Sequence, residues 1–164
     1  MLTVVLAIVT VGLTVSTVNA DEVTSKGIEI EGFIKPSELL TFSITYGLCD
    51  SEYDKFTGSG LAGKQVSFVP KQTLSLSAIY QLENGIYGQI GTKTVGDTYY
   101  WNYAGSNQSD KIDNYTLLDA SLGYDFESWK LSLFGANLTD EEYYTSLVNN
   151  LTGTPGVLGS PHVI

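Results

Sequence analysis

The chain has 164 residues, with 8 Lys+Arg against 18 Asp+Glu and a formal net charge of −10. That is one domain's length without a basic stripe to neutralise phosphates, which excludes a nucleic-acid partner. Cys49 and His162 each stand alone, so no internal disulfide, multi-cysteine metal site or histidine-based triad is expected, and neither a cofactor nor an enzyme activity.

Residues 1–20 carry no charge before Asp21, and three readings compete. Val18-Asn19-Ala20 loosely fits a signal-peptide cleavage site, but the positive leading region is missing. A transmembrane helix needs about 20 apolar residues, and the run is rich in Thr and Val instead. The alternation around Leu13, Thr14, Val15 and Ser16 favours a strand over 11–19.

Beyond Asp21 strand follows strand. Ile28, Ile30 and Ile34 alternate with Glu29, Glu31 and Phe33. Leu40, Phe42, Ile44, Tyr46 and Leu48 alternate with small or polar residues. So do Leu74, Leu76, Ala78, Tyr80 and Leu82, and again Leu118, Ala120, Leu122, Tyr124 and Phe126. Successive strand side chains point to opposite faces, so each segment has one apolar and one polar face. The predicted strands are 11–19, 26–34, 39–50, 65–82 (bent near Pro70), 86–93, 115–126 and 129–138, with helices minor.

These segments approach the roughly 9–11 residues that a tilted strand needs to cross a bilayer, where soluble strands average about five or six. Joins alternate short and long. Lys35–Glu38, Glu83–Gly85 and Glu127–Ser128 are short; Ser51–Lys64, Thr94–Asn114 and Thr139–Ser160 are long. Asn84-Gly85 marks a tight hairpin expected to want positive φ at both central residues. Short–long alternation belongs to outer-membrane barrels, with tight turns inside and long loops outside. The 11 Tyr and the clustering of aromatics near segment ends suit interfacial girdles. The expected fold is all-β, an antiparallel up-and-down meander forming about seven strands of a larger transmembrane barrel. A soluble sandwich or small closed barrel, secreted and structural or adhesive in role, is the alternative.

Several stretches resemble the C-terminal barrel of TonB-dependent receptors. Asn19-Ala20 through Ser25-Lys26-Gly27-Ile28-Glu29-Ile30-Glu31 is similar to a hairpin entry of that family, and Val69-Pro70-Lys71-Gln72-Thr73-Leu74-Ser75-Leu76 to one of its strands. Most specific is Tyr115–Tyr124, then Trp129-Lys130-Leu131-Ser132-Leu133-Phe134-Gly135-Ala136-Asn137-Leu138-Thr139-Asp140 and Tyr143, which resembles the closing signature. The resemblance covers about 13–164, while 1–12 match nothing recognisable.

The resemblance implies a Gram-negative outer-membrane receptor that imports a ferric siderophore or similar nutrient. Its partners would be outer-membrane lipid, the remainder of the barrel and plug, and TonB only through that plug. It divides the chain into an apolar segment 1–20 and a barrel portion 21–164 without plug or last strand, a fragment not expected to transport alone. Tyr99, Tyr100, Trp101 and Tyr103 in the loop before Asn114 are candidate ligand-stacking residues, though such rings also serve as girdle or loop packing. Asp50, Glu52, Asp54, Asp110 and Asp113 are expected as solvated loop charge, since no calcium-loop spacing appears. Glu29 and Glu31 are expected to face the lumen.

Overall fold

A computed structural model of the chain describes the backbone of residues 3–5, 9–14, 22–102, 108–126, 128–145, 147–149 and 155–157, with side chains for 22–100, 111–126 and 128–145. All regular structure among these residues is strand. The strands are β1 (Thr3–Val5), β2 (Val9–Thr14), β3 (Glu22–Ser37), β4 (Leu40–Lys55), β5 (Gln72–Gln81), β6 (Ile86–Val95), β7 (Thr98–Asn102), β8 (Gln108–Ile112), β9 (Tyr115–Asp125), β10 (Lys130–Gly135), β11 (Leu147–Asn149) and β12 (Pro155–Val157). β1, β2, β3, β4, β5, β6, β9 and β10 form one eight-stranded antiparallel sheet, in which β3 to β10 neighbour one another in chain order and β1 and β2 both pair with β3. β7–β8 and β11–β12 are separate hairpins.

The register carries the alternation of each strand across the whole sheet. One rung reads Ile34, Phe42, Ala78, Ile90, Ala120, Gly135; the next reads Gly32, Ile44, Leu76, Thr92, Leu118. On the other face the rungs read Glu31, Thr45, Ser75, Lys93, Leu117 and Phe33, Ser43, Ser77, Gly91, Asp119. A one-residue slip in any strand would exchange its faces, so the pairing and the alternation specify each other. The apolar face is bare: Leu133 is 76% exposed, and Ile28, Ile44, Leu76, Ile90 and Leu122 are all exposed. On β4 it runs from Leu40 to Leu48, about nine residues or roughly 23 Å of height at a 40° tilt, close to the ~25 Å apolar band of a membrane barrel.

The turns depart from expectation in detail. β3 and β4 extend past the predicted 26–34 and 39–50, and only Glu38 and Leu39 lie between them. Pro36, which has no N–H to give the ladder, falls where the β3–β4 register shifts between Ile34 and Ser37. At Asn84-Gly85 only Gly85 has positive φ, at 92°. Leu82 N–H donates to Ile86 O (2.7 Å) and Gly85 N–H to Leu82 O (3.1 Å). The loop is therefore the three-residue join Glu83–Gly85, with Gly85 alone in the left-handed position where positive φ was expected at both central residues. The predicted strand 65–82 is corrected to 72–81: residues 65–71 belong to a loop containing Phe68 at φ 61° and Pro70, neither of which suits a ladder. Of the strand predicted over 11–19, β2 (9–14) covers 11–14, and 15–19 lie outside the described residues.

The candidate functional site at the loop-bearing rim

Turns at 38–39, 82–85 and 126–129 lie at one end of the sheet; the connections 56–71 and 96–114 and the segment after β10 lie at the other. Burial concentrates at the long-loop end. The buried apolar residues among those described are Leu61 (1% exposed), Ile112 and Tyr100 (6%), all beyond the apolar rungs. The sheet wall thus has no core of its own, and the rim has one.

Loop 56–71 folds back on the top of β4. Tyr53 N–H donates to Lys64 O and Gly63 N–H to Tyr53 O (both 2.9 Å), and Val66 N–H donates to Ser51 O (3.1 Å). Inside the loop the Ser59 hydroxyl donates to Phe56 O (2.7 Å) and accepts from Leu61 N–H (3.0 Å), which tightens the turn that buries Leu61. Phe68 N–H then reaches across to Tyr99 O (2.7 Å), joining this loop to β7. The connection 96–114, expected as an irregular loop, carries the hairpin β7–β8. At its base Asp97 Oδ1 accepts from Asn114 N–H (2.9 Å) and Asn114 Nδ2 (3.3 Å), while Lys111 bridges Asp97 (3.3 Å) and Asp113 (2.7 Å). Burial raises the Asp97 carboxyl, but the hydrogen bonds from Asn114 and Lys111 and the lysine's charge outweigh it and hold it below the ordinary aspartate value. The hydrogen bonds to Asp113 and Asp97 hold the Lys111 ammonium above its ordinary value.

The four candidate aromatics divide. Tyr99 is half-buried and fixed through its carbonyl, and Tyr100 is buried. Trp101 lies on β7 with only its backbone described, and Tyr103 lies outside the described residues. Of the carboxylates expected in loops, Asp50, Glu52 and Asp54 ride on the upper part of β4, where Asp54 accepts from the Thr24 hydroxyl (2.5 Å). Among the described residues no cluster of ligating side chains suits a metal ion. Glu29 and Glu31 pair with Gly47 and Thr45 on the polar face.

The alternation did not disclose a hydrogen-bonded corner above β10. Leu138 N–H donates to Leu118 O (2.7 Å), leaving Ala136 and Asn137 opposite Asp119 as a bulge. Asp119 Oδ1 takes the Asn137 N–H (2.8 Å), and Asn137 Oδ1 takes Glu141 N–H (2.9 Å) while its Nδ2 donates to Glu141 O (3.0 Å). Asn137 sits at φ 49°, a conformation its short amide tolerates. Tyr143 stacks on Tyr115 with ring centroids 4.4 Å apart. The signal was present in Asn137-Leu138-Thr139-Asp140, but its partner Asp119 lies 18 residues upstream.

An apolar outer face, a polar inner face, short turns at one end and a packed rim at the other define an outer-membrane β-barrel wall. Residues 3–138 match the family described as TonB dependent receptor-like, beta-barrel, and the chain belongs to that family. The match begins at β1, ahead of the region where the sequence resemblance was legible. The chain is 29% identical over 137 residues to the ferrichrome outer membrane transporter/phage receptor of Escherichia coli (strain K12), covering 80% of this chain and 18% of the relative. It is 28% identical over 132 residues to the ferrioxamine B receptor of Salmonella typhimurium (strain SL1344), covering 74% and 18%. The crystal structure of the ferric yersiniabactin uptake receptor of Yersinia pestis aligns with a TM-score of 0.67 at 23% identity, over 83% of this chain and 21% of that one. The chain therefore spans about a fifth of the length of these proteins. The family resides in the outer membrane, and its members are receptors and transporters.

Proposed function

We propose that this chain is part of the wall of an energy-coupled import receptor for a ferric siderophore, with 21–164 belonging to the C-terminal part of its barrel. The observation that carries the reading is the inversion of burial: large aliphatic side chains face outward in level rungs, while buried residues gather in the rim. Outside a bilayer such a face is an aggregation surface; inside one it is matched to its solvent. The relatives named for ferrichrome, ferrioxamine B and ferric yersiniabactin support a ferric siderophore as cargo. Tyr99, Tyr100, Trp101 and Tyr103 stay candidates for stacking on it, Tyr100 from a buried position. In such a receptor TonB acts through the plug, and the polar face lines the route between plug and wall.

The test is refolding the chain into detergent micelles and into plain buffer, followed by circular dichroism and size exclusion. A β-sheet spectrum that needs detergent is the expected result. A monodisperse, cooperatively melting monomer in buffer would overturn the membrane reading and return the soluble, surface or adhesive β protein.

A further inference from the structure

The apolar face is not filled evenly. It carries a groove of about 460 Å³ among Ile34, Phe42, Ile44, Leu76, Ile90 and Leu118, with Gly32 of β3 and Ala78 of β5 also in its lining. Ala78 lies between Phe42 and Ile90 on one rung, and Gly32 pairs with Ile44 on the next. Phe42 and Ile90 are exposed, while Ala78 is recessed between them and half-buried. Nothing in the backbone demands glycine at position 32. A Cβ there would meet only Ile44 Cγ2, at 3.6 Å, whereas one at Gly27 or Gly123 would strike a carbonyl or a ring. Glycine inside a strand destabilises it relative to alanine, and it marks places where something else comes close.

We propose that this groove seats one hydrocarbon chain of a phospholipid from the inner half of the membrane. The proposal rests on the reading that the apolar face meets lipid, and the groove is continuous with that face. Of the hydroxyls that border it, Ser43 and Ser77 belong to the opposite face and hydrogen-bond each other (2.7 Å), which leaves Thr92. A hollow so lined does not hold water and takes an apolar guest, and left unfilled it forfeits dispersion contacts along its walls. Phe42 and Ile44 are the second and third of the five outward positions from Leu40 to Leu48, counted from the short-turn end. That end faces inward in an outer-membrane barrel, which puts the groove in the inner half of the bilayer. The seated chain packs on the Ala78 methyl and in the space left at Gly32, contacts that set it apart from the lipid sliding over the rest of the wall.

The experiment is a nuclear Overhauser measurement on the whole chain, deuterated except for labelled methyl groups and refolded into nanodiscs of dimyristoyl phosphatidylcholine. The methyl of Ala78 is compared with those of Leu133, which is 76% exposed outside the groove. Ala78, although recessed, is expected to show transfer from lipid-chain protons at least as strong as Leu133 does. Gly32→Val should weaken the Ala78 signal about threefold or more, because a branched side chain takes the space, and leave Leu133 unchanged. Should that variant not refold, Gly32→Ala, whose Cβ fits without strain, is read for a weakening in the same direction. A silent Ala78 beside a responsive Leu133 overturns the groove and leaves the membrane reading standing. Silence at both overturns the membrane reading itself. An Ala78 signal that Gly32 variants do not weaken, or that comes from an unlabelled second copy of the chain instead of lipid, also overturns the site.

Discussion

At the scale of single residues, the wall depends on places where a side chain has been left out. Tyr87 on β6 passes over Gly123 of β9 to place its hydroxyl 2.8 Å from Ser132 Oγ on β10, so one ring ties three strands. A Cβ at position 123 would strike the Tyr87 ring and lie 2.7 Å from Leu131 O. Gly123→Ala should therefore lose about 2–3 kcal/mol in a denaturant melt of the refolded chain. Tyr87→Phe, which loses only the hydroxyl contacts, should cost about 1 kcal/mol. Combining Gly123→Ala with Tyr87→Ala should cost less than the two changes summed, because the clash disappears with the ring. The corner above β10 behaves differently. Asn137→Ala gives up both hydrogen bonds to Glu141 and places alanine at φ 49°, so about 1–3 kcal/mol should be lost, measured in the same melt.

At the scale of elements, the β7–β8 hairpin has its own two-stranded sheet and is clasped at its base by Asp97. Because this carboxyl is held below its ordinary value, its contribution to stability is fully present above the ordinary aspartate range and is lost as pH falls through the lowered value. Amide exchange in β7 and β8, followed from pH 7 to pH 3 and corrected for intrinsic rates, should show protection falling at the acid end. Asp97→Asn should flatten that dependence.

The hairpin also marks a limit of sequence reading. β4, β9 and β10 were legible because their alternation is long and nearly unbroken. Thr98-Tyr99-Tyr100-Trp101 has no polar partner positions to alternate with, so its pairing with β8 left no trace in the pattern. Residues 65–71 misled in the opposite way, because apolar and polar residues alternate there although Phe68 and Pro70 take the backbone out of the ladder. Period two states which residues share a face and says nothing of what covers that face. Hence Tyr100 and its neighbours read alike in sequence and divide in the structure into buried and half-buried.

At the scale of the whole molecule, the two faces of the sheet should respond oppositely to charge. Ile44 lies in the middle of the apolar band and Ser43 beside it on the polar face. Ile44→Lys should cost about 2–4 kcal/mol in lipid vesicles, and Ser43→Lys far less, by equilibrium folding in urea. Similar losses at both positions would mean that neither face meets lipid. Alternation and join lengths made this division legible from the sequence alone. The rim core was not legible, because Leu61 and Ile112 lie in or beside two long connections that the alternation of the strands says nothing about.

At the short-turn end, Phe126 lies between Tyr124 (4.3 Å) and Trp129 (3.6 Å) in a run of ring contacts. The indole of Trp129 is half open to its surroundings at the height where a barrel meets the inner edge of its membrane. The wall thus carries a built-in optical gauge of immersion. Indole emission should move to shorter wavelength as that edge enters lipid, and a coupled near-ultraviolet dichroism band from the stacked rings should grow with it. Insertion of the chain can then be timed without attaching any dye.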